Sequence, residues 1–301
     1  MRVIIDFDGT LTAEEKQARA LAERSLETLA QEIIHVPQEM LVDAYDAVQT
    51  RLLEAPHHYW WEVNGLIASY CDEGAFILNT TTLQVMLRDN AAYSQAVEAT
   101  FPDAEYDPVV DCTNYLFHRH TAELEPVFRP AARGVVDALV RQPDRDPVIL
   151  TNSLGDKVRR HLGTLDLQGD VEILGDTRQY EMDPDWNKRF SHPEQGDIQV
   201  WELSAIRQID LRRPAYYLAL VDALEREPEI AVVADTFSLP GALPLMMGLN
   251  FILVRTRYTP DWCVHATEAH PYGLVLEKLG DLPRKLDEIS RRNRRPGSGA
   301  I

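Results

Sequence analysis

Five short runs of apolar and β-branched residues each stop at a polar or small residue: RVIID (2–6), PVILTNS (147–153), VEILGD (171–176), EIAVVADT (229–236) and NFILVRT (250–256). Continuous apolar runs of this length suit strands covered on both faces, as in a parallel sheet. Between them lie helical patterns, PAARGVVDALVRQ (130–142), GDKVRRHLGTL (155–165), RPAYYLALVDALERE (213–227) and LPGALPLMMG (239–248), the last shortened or broken by Pro244. Strands alternating with helices predict βαβ crossovers and a doubly wound α/β sheet. Ligands of such sheets sit at the carboxyl ends of the strands, where Asp6, Thr151 and Asp235 all fall.

The first two runs are separated by more than a hundred residues, far too many for a simple crossover. Residues 13–127 are therefore expected to form an inserted, all-helical domain, with 1–12 and 128–290 as the core. Four stretches within it carry apolar residues near helical spacing: 13–33, 37–55, 83–101 and 109–124. Its stretches PHHYWWEV (56–63) and LFHRHTAEL (116–124) gather aromatics and paired histidines, which read first as packing and surface residues. Their spacing does not build a separate metal site.

Composition narrows the partners. A formal net charge of −18 argues against a nucleic-acid backbone, which needs clustered Lys and Arg to displace counterions. An anionic small molecule needs only a local cluster of donors or a bound metal ion that reverses the sign of the field. Cys71, Cys112 and Cys263 are odd in number and far apart, as expected of free thiols in the reducing cytoplasm. No apolar run approaches the ~18–20 residues of a membrane span, and the first residues are too short and too acidic for a signal peptide. Residues 291–301, with Arg291, Arg292, Arg294 and Arg295 ahead of Gly and Ser, are expected to be a frayed basic tail.

A lone DxD is ordinary turn chemistry, but here it has company. DFDGT (6–10) closes the first run, LTNS (150–153) the second and VVAD (232–235) a later one, with a helical insertion after the first motif. In this order the chain resembles the haloacid dehalogenase superfamily, mostly phosphatases and phosphotransferases with a Rossmann-like core and, in one branch, a helical cap (C1-type) at this position. The resemblance implies Asp6 as nucleophile on a phosphoryl group, giving an aspartyl-phosphate. It implies Asp8 as general acid and then base, and Mg²⁺ held by Asp6, Asp235 and the backbone carbonyl of Asp8. Thr151 would hydrogen-bond the transferred phosphoryl group, and Asn152 would contact substrate or neighbouring backbone.

The family also uses a cation before the helix that precedes the later strand. At that place stands DLRRPAYY, which assigns Arg213, with Arg212 and Lys157 as alternates. Pro214 suits a first helical turn, and two arginines at a helix N-terminus call for an anion. The family's second acid after the residue matched by Asp235 is missing from ADTFSLPG; Ser238 could hold a metal-bound water instead. Within the cap, Arg119 or a Trp would read the leaving group. The expected protein is thus a cytoplasmic, monomeric or homodimeric Mg²⁺-dependent phosphatase of a small phosphorylated metabolite. A phosphomutase, a phosphotransferase or a non-catalytic phospholigand-binding member would use the same pocket. A dehalogenase proper usually lacks the aspartate matched by Asp8.

Overall fold

The computed structural model describes residues 1–293. The chain enters through β1 (Arg2–Ile5) and leaves on a long excursion. This carries α1 (Ala18–Thr28), α2 (Gln38–Glu54), β2 (Trp60–Val63), β3 (Leu66–Tyr70), α3 (Ala75–Asp89), α4 (Ala91–Thr100) and α5 (Pro108–Glu123). An antiparallel bridge between Thr12 and Phe128 closes the excursion. Then follow α6 (Ala132–Arg141), β4 (Asp146–Leu150), α7 (Gly155–Gly163) and β5 (Glu172–Leu174). A second excursion holds two hairpins, β6 (Phe190–His192) with β7 (Gly196–Ile198), and β8 (Val200–Ser204) with β9 (Arg207–Asp210). The chain ends with α8 (Pro214–Arg226), β10 (Ile230–Ala234), α9 (Ala242–Met246), β11 (Asn250–Val254), α10 (Asp261–Ala269), β12 (Gly273–Leu276) and α11 (Leu282–Asn293).

Six strands form one parallel sheet in the order β12-β11-β10-β1-β4-β5, with β1 in the middle. The alternation of side chains across a strand explains why these runs had to be apolar throughout. Ile4, Val148, Val232 and Phe251 meet α8 residues Tyr216 and Leu220 on one face. Their neighbours Val3, Ile5, Ile149, Val233 and Ile252 meet Val136 and Leu139 of α6, Val158 of α7 and Leu286 of α11 on the other. Truncating a fully buried leucine such as Leu139 to alanine would cost about 2–5 kcal/mol.

The expected doubly wound α/β sheet is therefore present, with a sixth strand, β12, beyond the five read from apolar runs. The inserted segment departs from its all-helical expectation, because β2 and β3 form an antiparallel hairpin. Its turn is Asn64-Gly65, with φ of 52° and 73°, the left-handed pair that a tight hairpin turn requires. The helix expected over 83–101 is two helices, broken where Asn90 accepts from Ala92 and Tyr93 N–H and caps α4. Asp107 caps α5 in the same way, ahead of Pro108. The second excursion had no counterpart in the sequence reading.

Hairpin and second excursion are fastened to each other and to the core. Asn64 donates to the Met182 carbonyl at 2.6 Å. Arg207 pairs with Asp72 through both terminal nitrogens, between the rings of Tyr70 and Trp262. Buried Glu73 accepts from the Phe237 and Ser238 N–H groups just beyond β10. Of the expected tail, Arg291 and Arg292 lie in the last turn of α11, and Arg294 and Arg295 lie outside the described residues.

Candidate active site

At the carboxyl ends of β1, β4 and β10, beneath the inserted segment, lies a cavity of about 100 Å³. Asp6, Asp8, Thr151, Asn152 and Asp235 line it, so the structure brings together five of the residues chosen from sequence. Adjacency follows from the strand order, since β1 pairs with β4 on one side and β10 on the other.

Asp6 and Asp235 face a common point: the Thr10 hydroxyl donates to Asp6 Oδ2 at 3.4 Å or to Asp235 Oδ1 at 3.3 Å. Against Asp235 passes Gly9, at φ +78°, where a Cβ would sit 2.1 Å from Asp235 Oδ2. Only glycine allows both the left-handed backbone and this approach. The Gly9 carbonyl is gripped by Arg129, which donates from Nε at 2.8 Å and Nη2 at 2.6 Å and also contacts Glu15. Both chain crossings into the inserted segment are thereby tied to the first motif.

Asp8 is handled differently. Ser153 Oγ donates to it, and Lys157 Nζ lies 3.3 Å from each of its carboxylate oxygens and 2.7 Å from Ser153 Oγ. Lys157 is nearly fully buried and also stands over the Phe117 ring. Lys157 is thus the cation among the three considered that reaches the paired aspartates.

Arg213 does not come to the cavity. Fully buried, it donates to the carbonyls of Asp210, Gln179, Ile67 and Ala68, and burial pushes its pKa down to about 10. Arg212 pairs with Asp210 and the Pro184 carbonyl. The anion expected beside this helix N-terminus is therefore Asp210 together with backbone oxygens. Arg119 also misses the cavity, pairing with Glu32 and the Tyr115 hydroxyl on the outer face of α5. Ser238 does not line the cavity. Thr151 Oγ1 accepts from the Ser153 N–H at 3.2 Å, and Asn152 Oδ1 accepts from the Gln179 N–H at 2.7 Å, which fixes both at the rim of the sheet.

One acid in the cavity escaped the sequence reading. Glu14, beyond the first motif, accepts from the Ala75 and Phe76 N–H groups at 2.6 and 3.3 Å, capping α3 from a distance. Burial lifts the pKa of Asp6, Asp235 and Glu14 well above the carboxylate range. Asp8 adds to the rise at Asp6, Asp6 to that at Asp235, and Asp235 to that at Glu14.

Among the described residues no group of three or more His, Cys, Asp or Glu side chains is arranged to hold a metal. Two largely buried carboxylates at a common point, in mutual repulsion, nevertheless fit a hard cation. Such an ion takes oxygen ligands and keeps several waters, and needs no third protein acid.

Comparison with known proteins separates sequence from structure. No family model and no curated protein matches the sequence. Solved structures do align over almost the whole chain. The magnesium-bound HAD-hydrolase YfnB of Bacillus subtilis is 13% identical at a TM-score of 0.48, over 95% of this chain and 98% of that one. A HAD-superfamily hydrolase of subfamily IA from Geobacter sulfurreducens is 15% identical at 0.45, over 95% of each chain. The 2-haloacid dehalogenase of Pseudomonas syringae is 15% identical at 0.43, over 96% of this chain and 98% of that one. The likeness is one of fold, to solved hydrolases of the haloacid dehalogenase superfamily.

Proposed function

We propose that the protein is a Mg²⁺-dependent phosphatase of a small phosphorylated metabolite, working through an aspartyl-phosphate on Asp6. The observation that carries this reading is the pairing of Asp6 with Asp235 at one point while Asp8, two residues on, is held apart by Ser153 and Lys157. One carboxylate is placed to attack and the next to move a proton.

Asp6 and Asp235, with the Asp8 carbonyl, would hold the metal, which when bound screens the approach of a carboxylate to an anionic phosphoryl group. An Asp6 oxygen then forms the bond to phosphorus as the bond to the leaving oxygen breaks, and Asp8 gives that oxygen its proton. Water next attacks the phosphorus of the aspartyl-phosphate, Asp8 takes a proton from it, and the bond to Asp6 breaks to release inorganic phosphate. Thr151 is at hand for a phosphoryl oxygen, and Lys157 offsets the charge around Asp8. The inserted segment excludes bulk water from the intermediate. Three buried, unpaired cysteines suit a reducing compartment such as the cytoplasm, and no described helix is long and apolar enough to cross a membrane.

The test is phosphate release from an aryl phosphate with and without Mg²⁺. Expected is metal-dependent release that falls at least about 10⁴-fold in Asp6→Asn. Activity retained in Asp6→Asn, or phosphate binding without turnover across a broad metabolite panel, would overturn it.

A further inference from the structure

The wall of the cavity away from the aspartates is built by the two excursions and the loop after β10, and its chemistry is one-sided. Trp61, Phe76, Phe117 and Tyr180 supply rings, and Leu239 an aliphatic surface. The polar groups among them include the neutral amide of Asn114 and the imidazole of His118, whose pKa is lowered by burial and then by Lys157. Among the described residues neither a lysine nor an arginine lines the cavity. Three cations that reach cavity residues or their neighbours are committed: Lys157 to Asp8 and Ser153, Arg129 to the Gly9 carbonyl and Glu15, and Arg213 to carbonyls including that of Gln179. Glu14 adds a further carboxylate on the side of the inserted segment.

A second anionic group on a substrate would have to leave water for this wall. It would find no uncommitted cation there, and the buried Glu14 carboxyl offers it no positive charge. Small size adds to the constraint, since about 100 Å³ is well below the ~300–1,000 Å³ of pockets for drug-sized ligands. Resting on the phosphatase reading above, the geometry points to a substrate whose only anion is the transferred phosphoryl group. Its alcohol is compact, uncharged and largely apolar. Selection is made by the aromatic wall through contact area and by the missing cation through exclusion.

Two non-hydrolysable probes of equal carbon-chain length test this: propylphosphonate and 3-phosphonopropionate, which differ in whether the tail ends in a methyl group or a carboxylate. Titrated calorimetrically into the Mg²⁺-loaded protein, propylphosphonate is expected to bind at least about thirtyfold more tightly. Equal or tighter binding of the carboxylate probe overturns the inference while leaving the phosphatase reading intact. Failure of both to bind overturns the phosphoryl site itself. Asn114→Arg, which adds a cation to the wall, is expected to improve binding of 3-phosphonopropionate at least tenfold relative to propylphosphonate; an unchanged ratio also counts against the inference.

Discussion

The floor of the cavity and its roof are assembled from different parts of the chain and by different physical rules. Floor residues stand at the ends of three hydrogen-bonded parallel strands, so sheet register sets their spacing, and each charged group has a defined neighbour. Roof residues come from a hairpin, from α3 and α5, and from the loops around Tyr180 and Leu239, joined by side-chain packing across the two excursions. A floor built on register has little tolerance for displacement, whereas a roof built on packing can exchange one apolar surface for another. Floor substitutions should therefore lower kcat for every substrate, and roof substitutions should change KM and the choice of substrate.

The strongest test of that division is Gly9→Ala. The added Cβ overlaps the Asp235 carboxylate, and the left-handed backbone costs an alanine about 1–2 kcal/mol. Phosphate release should fall by about 10³ for all substrates in a protein that still folds, as judged by circular dichroism. A loss confined to some substrates would break the division.

Lys157→Met comes next. It leaves Asp8 without its cation in a nearly buried site, so kcat should drop about a hundredfold, and chemical denaturation should show a loss of about 3–5 kcal/mol. Arg213→Met is the control. It is expected to destabilise by a similar amount, because four carbonyls lose their donor, while the folded fraction keeps kcat within about threefold.

These two cations show where the sequence stopped being legible. Spacing placed Arg213 beside Pro214 at the start of α8, and that location is right. Its burial under the hairpin and second excursion could not be foreseen, because the excursion itself went unread. Strands such as Phe190–His192 and Gly196–Ile198 are three residues long and partly exposed, without the continuous apolar run that marked β1 or β10. The hairpin did leave a signal, Asn64-Gly65 between apolar residues, overlooked because the neighbouring aromatics were read as packing. Strand ends were legible because burial on both faces forces an apolar run and makes the first charged residue conspicuous. Glu14 was not, since one acid in TAEEK resembles the next until α3 arrives to be capped.

A smaller effect should appear in the pH dependence of stability. Asp6, Asp235 and Glu14 hold protons more tightly folded than unfolded. The stability this confers is fully present below the ordinary carboxylate pKa of about 4 and is lost as pH rises through the elevated folded values. Without metal, Tm should therefore fall between pH 5.5 and 8 by roughly 4 °C or more. Mg²⁺ should remove most of that slope, and Asp235→Asn should flatten it without metal. A slope indifferent to both would mean that the floor is not where this strain resides.

The smallest effect is expected one residue away from a roof contact. Asn114, Phe117 and His118 recur at i, i+3 and i+4 on α5 and all line the cavity, so one face of this helix supplies its share of the roof. Arg119 lies about 100° further round the helix, where it meets Glu32 and Tyr115 with its side chain 34% exposed. An exposed pair of this kind contributes about 0–1 kcal/mol. Arg119→Ala should therefore leave kcat and KM within about twofold, whereas Phe117→Ala, which removes a ring from the roof, should raise KM about tenfold with kcat within about threefold. If Arg119→Ala instead raised KM beyond tenfold, substrate would have to reach the outer face of α5. The part of the roof drawn from α5 could then no longer be that helix's inward face alone.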